Sequence, residues 1–415
     1  MRFALERYWG KERTKVLVGN FTSLLSVRMI NIIQPLIVLP YLTRTLGPEK
    51  FGLIAFAQSF IEYFNVLIEY GFNLTATRSI SINRNDKDKI NSIFSNVLIT
   101  KNILYLVSIV ILIAIVFLNE EFISNWRLFI YTSGMLFGNV LFPIWFFQGI
   151  ERMKYISILN ISAKLFFTIC IFLFVRGPED FLLVPFFNSL GYISIGIISL
   201  FIIYSQFKIR INFPTLSNIR QTLGEGSSVF ISNLAPNLYN NSSVFILGLY
   251  TSNIVTGYFS GMVKITGFFN TVLNVISQTF FPFLAKERSS FKKFIVLMLS
   301  TGLIMSILVF SFRGLLVNFL LGQEFLVTKK YLMVFSISIY QISLINGFRN
   351  YLLIQYKDRL LRNINIIISI IGFFIVLLMI KYFGIWGSII GLVATRFILS
   401  STYLYSYRKI NKKTE

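Results

Sequence analysis

The stretch SIFSNVLITKNILYLVSIVILIAIVFL, residues 92–118, carries one charged residue, Lys101, in 27 positions. A helix of about twenty apolar residues is long enough to cross the hydrocarbon core of a bilayer. Stretches of this kind recur along the whole chain, whereas the alternating segments of about ten residues that mark a membrane β-barrel do not. Of the 415 residues, 55% are hydrophobic and 13% are charged, which is roughly half the charged fraction of a soluble domain. The sequence therefore predicts an all-α integral membrane protein.

The hydropathy pattern predicts about twelve transmembrane helices. The longest predicted loop, residues 205–226, divides them into two six-helix lobes, residues 1–210 and 211–415. A weak repeat supports this division, because Phe51-Gly52 follows helix 1 as Thr256-Gly257 follows helix 7. In transporters built from two such repeats, the substrate site lies between the repeats. The predicted spans are 16–42, 52–74, 92–118, 128–148, 157–175, 182–204, 227–250, 257–284, 294–316, 331–354, 364–382 and 388–407.

The distribution of positive charge predicts the orientation. The net charge is +22. With the N-terminus placed inside, the cytoplasmic segments hold 25 of the 39 Lys and Arg residues, and the opposite side holds 7, counting Lys381 at the end of span 364–382. This bias is the positive-inside rule, and an even number of helices puts both termini in the cytoplasm. The basic loops are expected to meet anionic lipid headgroups and not nucleic acid. The first hydrophobic span lacks a cleavage site and is expected to be retained.

Polar side chains form columns along the first two predicted helices of each lobe. At 100° per residue, helix 2 places its polar residues within an arc of about 80° and helix 8 within about 100°. Such residues could hydrogen-bond across helix contacts, but the length and repetition of the columns favour the wall of a hydrated cavity, because polar groups in hydrocarbon need partners or water. The candidate cavity residues are Asn31, Gln34, Gln58, Asn65, Asn73, Asn233, Asn237, Asn240, Thr271 and Gln278.

Apart from Lys381, which lies at the end of its span, seven cations and only two acids, Glu62 and Glu69, lie inside the predicted spans. Internal ion pairing therefore cannot neutralise every cation, whereas an anionic ligand would. Arginine suits phosphate or pyrophosphate because its planar guanidinium can bind two oxygens at once. Lys101 and Arg313 could lie near interfaces, with their charged ends reaching the headgroups. The deeper cations, which are the candidate pyrophosphate-binding residues, are Arg28, Lys264, Arg349 and Arg396.

Motifs for ATP hydrolysis and for metal-based chemistry are absent from the sequence. The chain has no GxxxxGK[ST] phosphate loop, no histidine, and a single cysteine, Cys170, inside a predicted helix. No catalytic residue, metal site or cofactor is therefore expected.

Glu62 and Glu69 share one face of helix 2, where they could form a coupling site for H⁺ or Na⁺. They could equally be ion-paired with Arg28 or Lys264 on neighbouring helices.

Two motifs in the first quarter of the chain resemble a known family. The run PLIVLPYLTRTLGPEKFG, from Pro35 to Gly52, and the run YGFNLTATRSI, from Tyr70 to Ile80, are similar to Wzx-type flippases for O-antigen and other polysaccharide units. These proteins belong to the MOP exporter superfamily, with the MATE multidrug exporters and the lipid II flippase. The lipid II flippase carries an arginine on helix 2, where this chain has Glu62 and Glu69. The detailed site of that relative therefore does not transfer.

The resemblance implies a multi-pass protein of the bacterial inner membrane that alternates access between the two faces. The implied cargo is an undecaprenyl-pyrophosphate-linked oligosaccharide, moved from the cytoplasmic to the periplasmic leaflet. Other membrane proteins of polysaccharide assembly are candidate partners. One alternative is a multidrug or cation exporter of the same fold, although cationic drugs would favour an acidic cavity. A membrane polysaccharide polymerase or ligase is less favoured, because the longest predicted outer loop, 317–330, is short.

Overall fold

The computed structural model describes the backbone of residues 11–287 and 290–411, and the side chains of these residues from Ser26 onward except that of Arg28. Within these ranges the chain is helical and contains no β-strand, which confirms the predicted all-α class. The segments Pro178–Leu182 and Gln323–Thr328 are short 3₁₀ helices. Helices α1 to α16 are Lys11–Glu69, Phe72–Ile82, Lys87–Leu118, Glu120–Ile123, Trp126–Leu141, Ile144–Gly149, Met153–Phe174, Leu183–Gln206, Leu216–Asn240, Ser242–Tyr250, Asn253–Lys286, Phe291–Ser311, Arg313–Leu320, Lys329–Phe335, Ile337–Ile354 and Asp358–Asn411.

Two of the predicted loops are reduced to a single non-helical residue. Helix α1 contains predicted helix 1 and most of predicted helix 2, which is interrupted at residues 70–71, and the helical geometry of α1 breaks only at Gly47 (φ 68°, ψ 174°). A positive φ is accessible to glycine at little cost, and the next residue, Pro48, has a φ suited to the first position of a helix. Helix α16 breaks in the same way at Gly384 (φ 54°, ψ −125°). The expected loops at 43–51 and 383–387 are therefore sharp kinks in otherwise continuous helix.

Eight of the described helices are long and apolar enough to cross a membrane, or nine if the bent pair Gln323–Phe335 and Ile337–Ile354 is one span. Two of the eight are 54-residue segments, Met29–Ile82 and Asp358–Asn411, and each contains a glycine break. The second segment contains two predicted spans, and the first contains one and the later part of another. The pair α9 and α10, predicted helix 7, is absent from the eight and carries the asparagine column. The chain is thus a multi-pass membrane protein. The count of twelve and the cytoplasmic termini stay predictions, and residues 1–10 and 412–415 lie outside the described residues.

The contacts between helices group the chain into two compact units. Unit 1 comprises Met1–Val38 and Phe60–Asn233, and unit 2 comprises Leu39–Ser59 and Leu234–Glu415. The predicted lobe boundary at residue 210 stays a prediction.

An aromatic core holds unit 1 together. Phe94, Trp145, Phe146 and Phe147 are all 1% exposed or less and pack in one cluster. Helix α2 contributes Phe72, Ala76 and Ile80 to the same cluster. This spacing of four places one face of α2 in the core and leaves its other faces available for polar contacts.

In unit 2, the segment 39–59 packs closely on helix α11. A Cβ atom added to Gly52 would overlap the carbonyl of Asn253, and one added to Gly257 would overlap the carbonyl of Pro48. The two glycines that the sequence repeat relates are therefore in contact, backbone against backbone.

An arginine of the same segment caps a short helix. The Arg44 Nη2 atom donates to the carbonyl oxygens of Asn318 (3.2 Å) and Phe319 (2.9 Å), near the C-terminus of α13. The last carbonyls of a helix have no partner within the helix, and a cation there also interacts favourably with the helix dipole.

Candidate functional site

A network of carboxylates and amides lies inside unit 1. The Asn65 amide lies 3.3 and 3.4 Å from the two carboxylate oxygens of Glu62 and donates to them. The Asn139 amide of α5 donates to the Asn65 side-chain oxygen at 2.9 Å. The polar column predicted on helix 2 is thus linked to a second helix, and Glu62 lies at one end of the chain of hydrogen bonds.

Lys101 of α3 completes this network. Its ammonium lies 3.9 Å from a carboxylate oxygen of Glu69 and donates to the carbonyl of Asn139 at 3.2 Å. The Asn73 amide donates to the same Glu69 carboxylate. The Lys101 side chain is 2% exposed, so it does not reach an interface as the sequence suggested. Lys101 stays at this depth because helix α5 supplies an acceptor there and α1 supplies an anion.

The two acids of helix 2 therefore have different surroundings. Glu69 is ion-paired with Lys101, a cation that the sequence did not single out as its partner. Among the described side chains Glu62 forms no ion pair, and its hydrogen-bond donor is the neutral amide of Asn65. The side chain of Arg28 lies outside the described residues.

Unit 2 contains a polar pocket between α11 and α15. Its volume is about 220 Å³. Inside it, the Asn346 amide donates to the Asn274 side-chain oxygen at 2.7 Å, and the Asn350 amide donates to the Ser277 hydroxyl at 3.0 Å. Arg349 is exposed and is the only ionisable residue in the lining. The pocket is lined by Asn274, Ser277, Gln278, Phe281, Asn346, Arg349, Asn350 and Leu353.

Arg396 of α16 lies beside the asparagine column of α9. Its Nη2 atom lies 3.4 Å from the Asn240 side-chain oxygen, and its guanidinium carbon lies 5.6 Å from the centre of the Phe335 ring. Its Nη1 atom is buried and has no hydrogen-bond partner among the described residues. A buried guanidinium nitrogen without an acceptor costs free energy, so this arrangement is suited to an anion.

The third deep cation of unit 2, Lys264, is exposed although it lies in the middle of α11. An accessible cation in the interior of a membrane helix is tolerated where it meets water or a polar cavity. Unit 2 thus contains three of the deep cations, Lys264, Arg349 and Arg396, each within a predicted span. None of these spans contains an Asp or Glu.

The structure brings some of the predicted site residues together. Asn65 and Asn73 contact the two acids of helix 2, Asn240 contacts Arg396, and Gln278 shares a pocket with Arg349. The contacts described above do not include the other candidates. Those are Asn31, Gln34, Gln58, Asn233, Asn237 and Thr271, of which Thr271 donates to Gly267 and Asn237 accepts from Asn241.

Four important polar residues were not among the sequence candidates, namely Lys101, Asn139, Asn346 and Asn350. The signal for the last two was present, because Asn346, Arg349 and Asn350 have the spacing of neighbours on one helix face. No comparable pattern marks Asn139, whose role depends on which helix α5 packs against.

Comparison with known proteins agrees with this architecture. Residues 17–288 match the family model described as polysaccharide biosynthesis protein. Two relatives bear the name "Putative O-antigen transporter". The one from Escherichia coli K12 is 35% identical over 263 residues, which span 63% of this chain and 63% of the relative. The one from Shigella dysenteriae is 29% identical over 389 residues, 92% of this chain and 97% of the relative.

The fold is similar to that of a solved flippase. The lipid II flippase in its inward closed conformation superposes with a TM-score of 0.73 at 12% identity, covering 94% of this chain and 87% of that one. At this identity the similarity concerns the fold alone.

Both motifs on which the sequence resemblance rests, 35–52 and 70–80, fall inside the range of the family match. Because that match covers more than half of the sequence, the chain belongs to the family of polysaccharide biosynthesis proteins.

Proposed function

We propose that this protein is a flippase. It moves an undecaprenyl-pyrophosphate-linked oligosaccharide from the cytoplasmic to the periplasmic leaflet of the bacterial inner membrane. The names of the two relatives support transport of O-antigen material. The observation that carries the proposal is the set of membrane-embedded cations in unit 2, where the buried Nη1 atom of Arg396 lacks an acceptor among the described residues.

The chemistry of these cations fits a pyrophosphate. A charged ligand cannot cross bare hydrocarbon, because the loss of its hydration costs several kcal/mol or more. Charge-assisted hydrogen bonds from arginine replace that hydration and are about twice as strong as neutral ones. The amide-rich pocket around Arg349 adds donors for the same oxygens or for sugar hydroxyls. A cationic drug would be repelled by this set, which argues against the exporter alternative.

Replacing Arg349 with alanine is expected to lower glycan export at least tenfold, because a hydrogen bond to a charged group contributes about 1.5–3 kcal/mol. Lys264→Ala is expected to act in the same direction. Arg359→Ala is the matched control, since Arg359 is exposed at the start of α16. Surface polysaccharide is measured in cells that contain equal amounts of each variant.

Unchanged export in both Arg349→Ala and Lys264→Ala would contradict a cationic site. Restored export in Arg349→Lys would mean that charge matters more than bidentate geometry. Intact surface glycan with altered drug sensitivity would favour the exporter instead.

We also infer that Glu62 is the coupling site for H⁺ or Na⁺. The pairing of Glu69 with Lys101 neutralises one of the two acids, and this leaves the Glu62 carboxylate as the uncompensated charge among the described groups of the network. A carboxylate at membrane depth is costly unless it takes up a cation. Other polysaccharide-assembly proteins of the membrane are proposed partners, because a delivered repeat unit must be passed on.

Glu62→Gln is expected to remove the response of transport to an imposed H⁺ or Na⁺ gradient while the protein stays folded, since glutamine keeps the hydrogen bonding without the titratable charge. Transport of lipid-linked glycan into proteoliposomes, with and without each gradient, measures this. Glu62→Asp serves as the comparison and is expected to retain a response. A full gradient response in Glu62→Gln would exclude Glu62 as the coupling site.

A further inference from the structure

A second polar pocket, in unit 1, belongs to none of the groups described above. It lies between α2, α3 and the first turns of α9, and its volume is about 290 Å³. By the charge distribution, its side of the membrane is the one predicted to face the cytoplasm. Helix α2 contributes Thr75 and Ser79, and Asn83 follows at its C-terminal cap. The spacing of four residues puts these side chains on one face, next to the apolar face that enters the aromatic core.

The lining consists mainly of neutral hydrogen-bonding groups. The hydroxyls of Ser79 and Ser92 and the amide of Asn96 make no hydrogen bond to any described residue, and they are therefore available to a ligand. Apolar side chains complete the wall. The lining residues are Thr75, Ala76, Ser79, Asn83, Lys89, Ser92, Ile93, Asn96, Val97, Gln221, Thr222 and Glu225.

The two charged residues of the lining are already engaged. Lys89 lies 3.6 Å from the carboxylate of Asp86. The backbone amide of Lys89 also donates to that carboxylate and holds the pKa of Asp86 below its ordinary value, so the partner is ionised. Glu225 accepts a hydrogen bond from the Gln221 amide at 3.0 Å. Lys89 and Glu225 have opposite formal charges, so the lining has no net positive charge, and Glu225 disfavours an anionic phosphate.

A sugar ring matches this chemistry. Each sugar hydroxyl is both a donor and an acceptor, and so are the hydroxyl and amide groups of serine, threonine, asparagine and glutamine. The volume is near the lower end of the range for ligand sites, which suits one or two rings. Ala76, Ile93 and Val97 supply apolar surface for the C–H face of a ring.

We propose that this pocket binds a sugar residue of the lipid-linked oligosaccharide on the cytoplasmic side, apart from the cations that bind the pyrophosphate. The proposal rests on the proposed flippase function and specifies which part of the substrate unit 1 recognises. It assigns a binding role to Asn96, Ser92 and Ser79.

The pocket is tested by measuring the binding of two lipids to the purified protein in nanodiscs. One is the pool of lipid-linked repeat units extracted from cells that lack this protein, and the other is undecaprenyl pyrophosphate without sugar. Asn96→Leu removes an available amide and fills part of the pocket. We expect it to weaken binding of the glycosylated lipid at least tenfold and to leave binding of the sugar-free lipid unchanged.

Asn102→Leu is the matched control, because Asn102 lies on the same helix and donates to its own backbone at Leu98. It is expected to bind both lipids as the wild type does. Equal losses for both lipids in Asn96→Leu, at an unchanged thermal unfolding midpoint, would overturn the pocket assignment, and so would no loss for either. If the wild type bound neither lipid, that result would instead count against the flippase function itself.

Discussion

Replacing Gly257 with valine is expected to abolish glycan export and to lower the thermal stability of the purified protein. A Cβ atom at this position would overlap the Pro48 carbonyl, and the next nearest atoms belong to the backbone of Pro48 and Gly52. Backbone atoms cannot rotate away as the end of a side chain can, so α11 would have to move off the segment 39–59. Overpacking of this kind costs about 1–3 kcal/mol or more. The melting temperature and the amount of surface polysaccharide both report it.

Gly267→Val on the same helix is the control for this variant. A Cβ at Gly267 would meet nothing within 4 Å, and both substitutions place the same β-branched residue in the interior of α11. The control is therefore expected to lose little stability. Equal melting temperatures for the two variants would mean that the close packing at Gly257 does not hold the protein together.

The second large effect is expected for the ion pair in unit 1. Glu69→Gln would leave the Lys101 ammonium buried with no anion beside it. Breaking a buried ion pair by removing one partner destabilises a protein by about 3–5 kcal/mol. The lower end, about 3 kcal/mol, is expected here because the Glu69 side chain keeps 31% exposure. Thermal or denaturant unfolding of the purified variant measures the loss.

The double variant Glu69→Gln with Lys101→Met separates the ion pair from other causes. Replacing a buried pair by uncharged groups of similar volume is often nearly neutral, so the double variant is expected to recover most of the lost stability. Glu121→Gln, at an exposed acid of α4, is the control for removing a carboxylate. A double variant less stable than Glu69→Gln alone would contradict the pairing.

Hydropathy alone predicts the membrane class and the positions of the helices. It does not predict how one helix connects to the next. The mean hydropathy of a sequence window falls near Gly47 and near Gly384, and this predicts that the apolar helix is interrupted at both places. They cannot tell a nine-residue loop from a kink at one residue. The kink depends on the backbone angles of a single glycine, and those angles depend on what the flanking helices pack against.

For the site, too, the sequence predicts features of single helices but not the contacts between helices. The asymmetry of charge inside the spans and the column on helix 2 are properties of single helices, and the sequence predicts both. The partner of Glu69 is not such a property. Lys101 lies on a helix with no other ionised residue at membrane depth, and its burial depends on the rotation of α3 and on the Asn139 carbonyl of α5. Contacts between helices require the three-dimensional arrangement.

The contact of Arg44 has a consequence for how the family can vary. Its acceptors are backbone carbonyls, and every amino acid supplies one. The side chains at positions 318 and 319 can therefore diverge among homologues without weakening the contact, whereas position 44 needs a long side chain with several donors. Methods that search alignments for pairs of positions changing together would not detect this contact, since only one of its partners is subject to selection on its side chain.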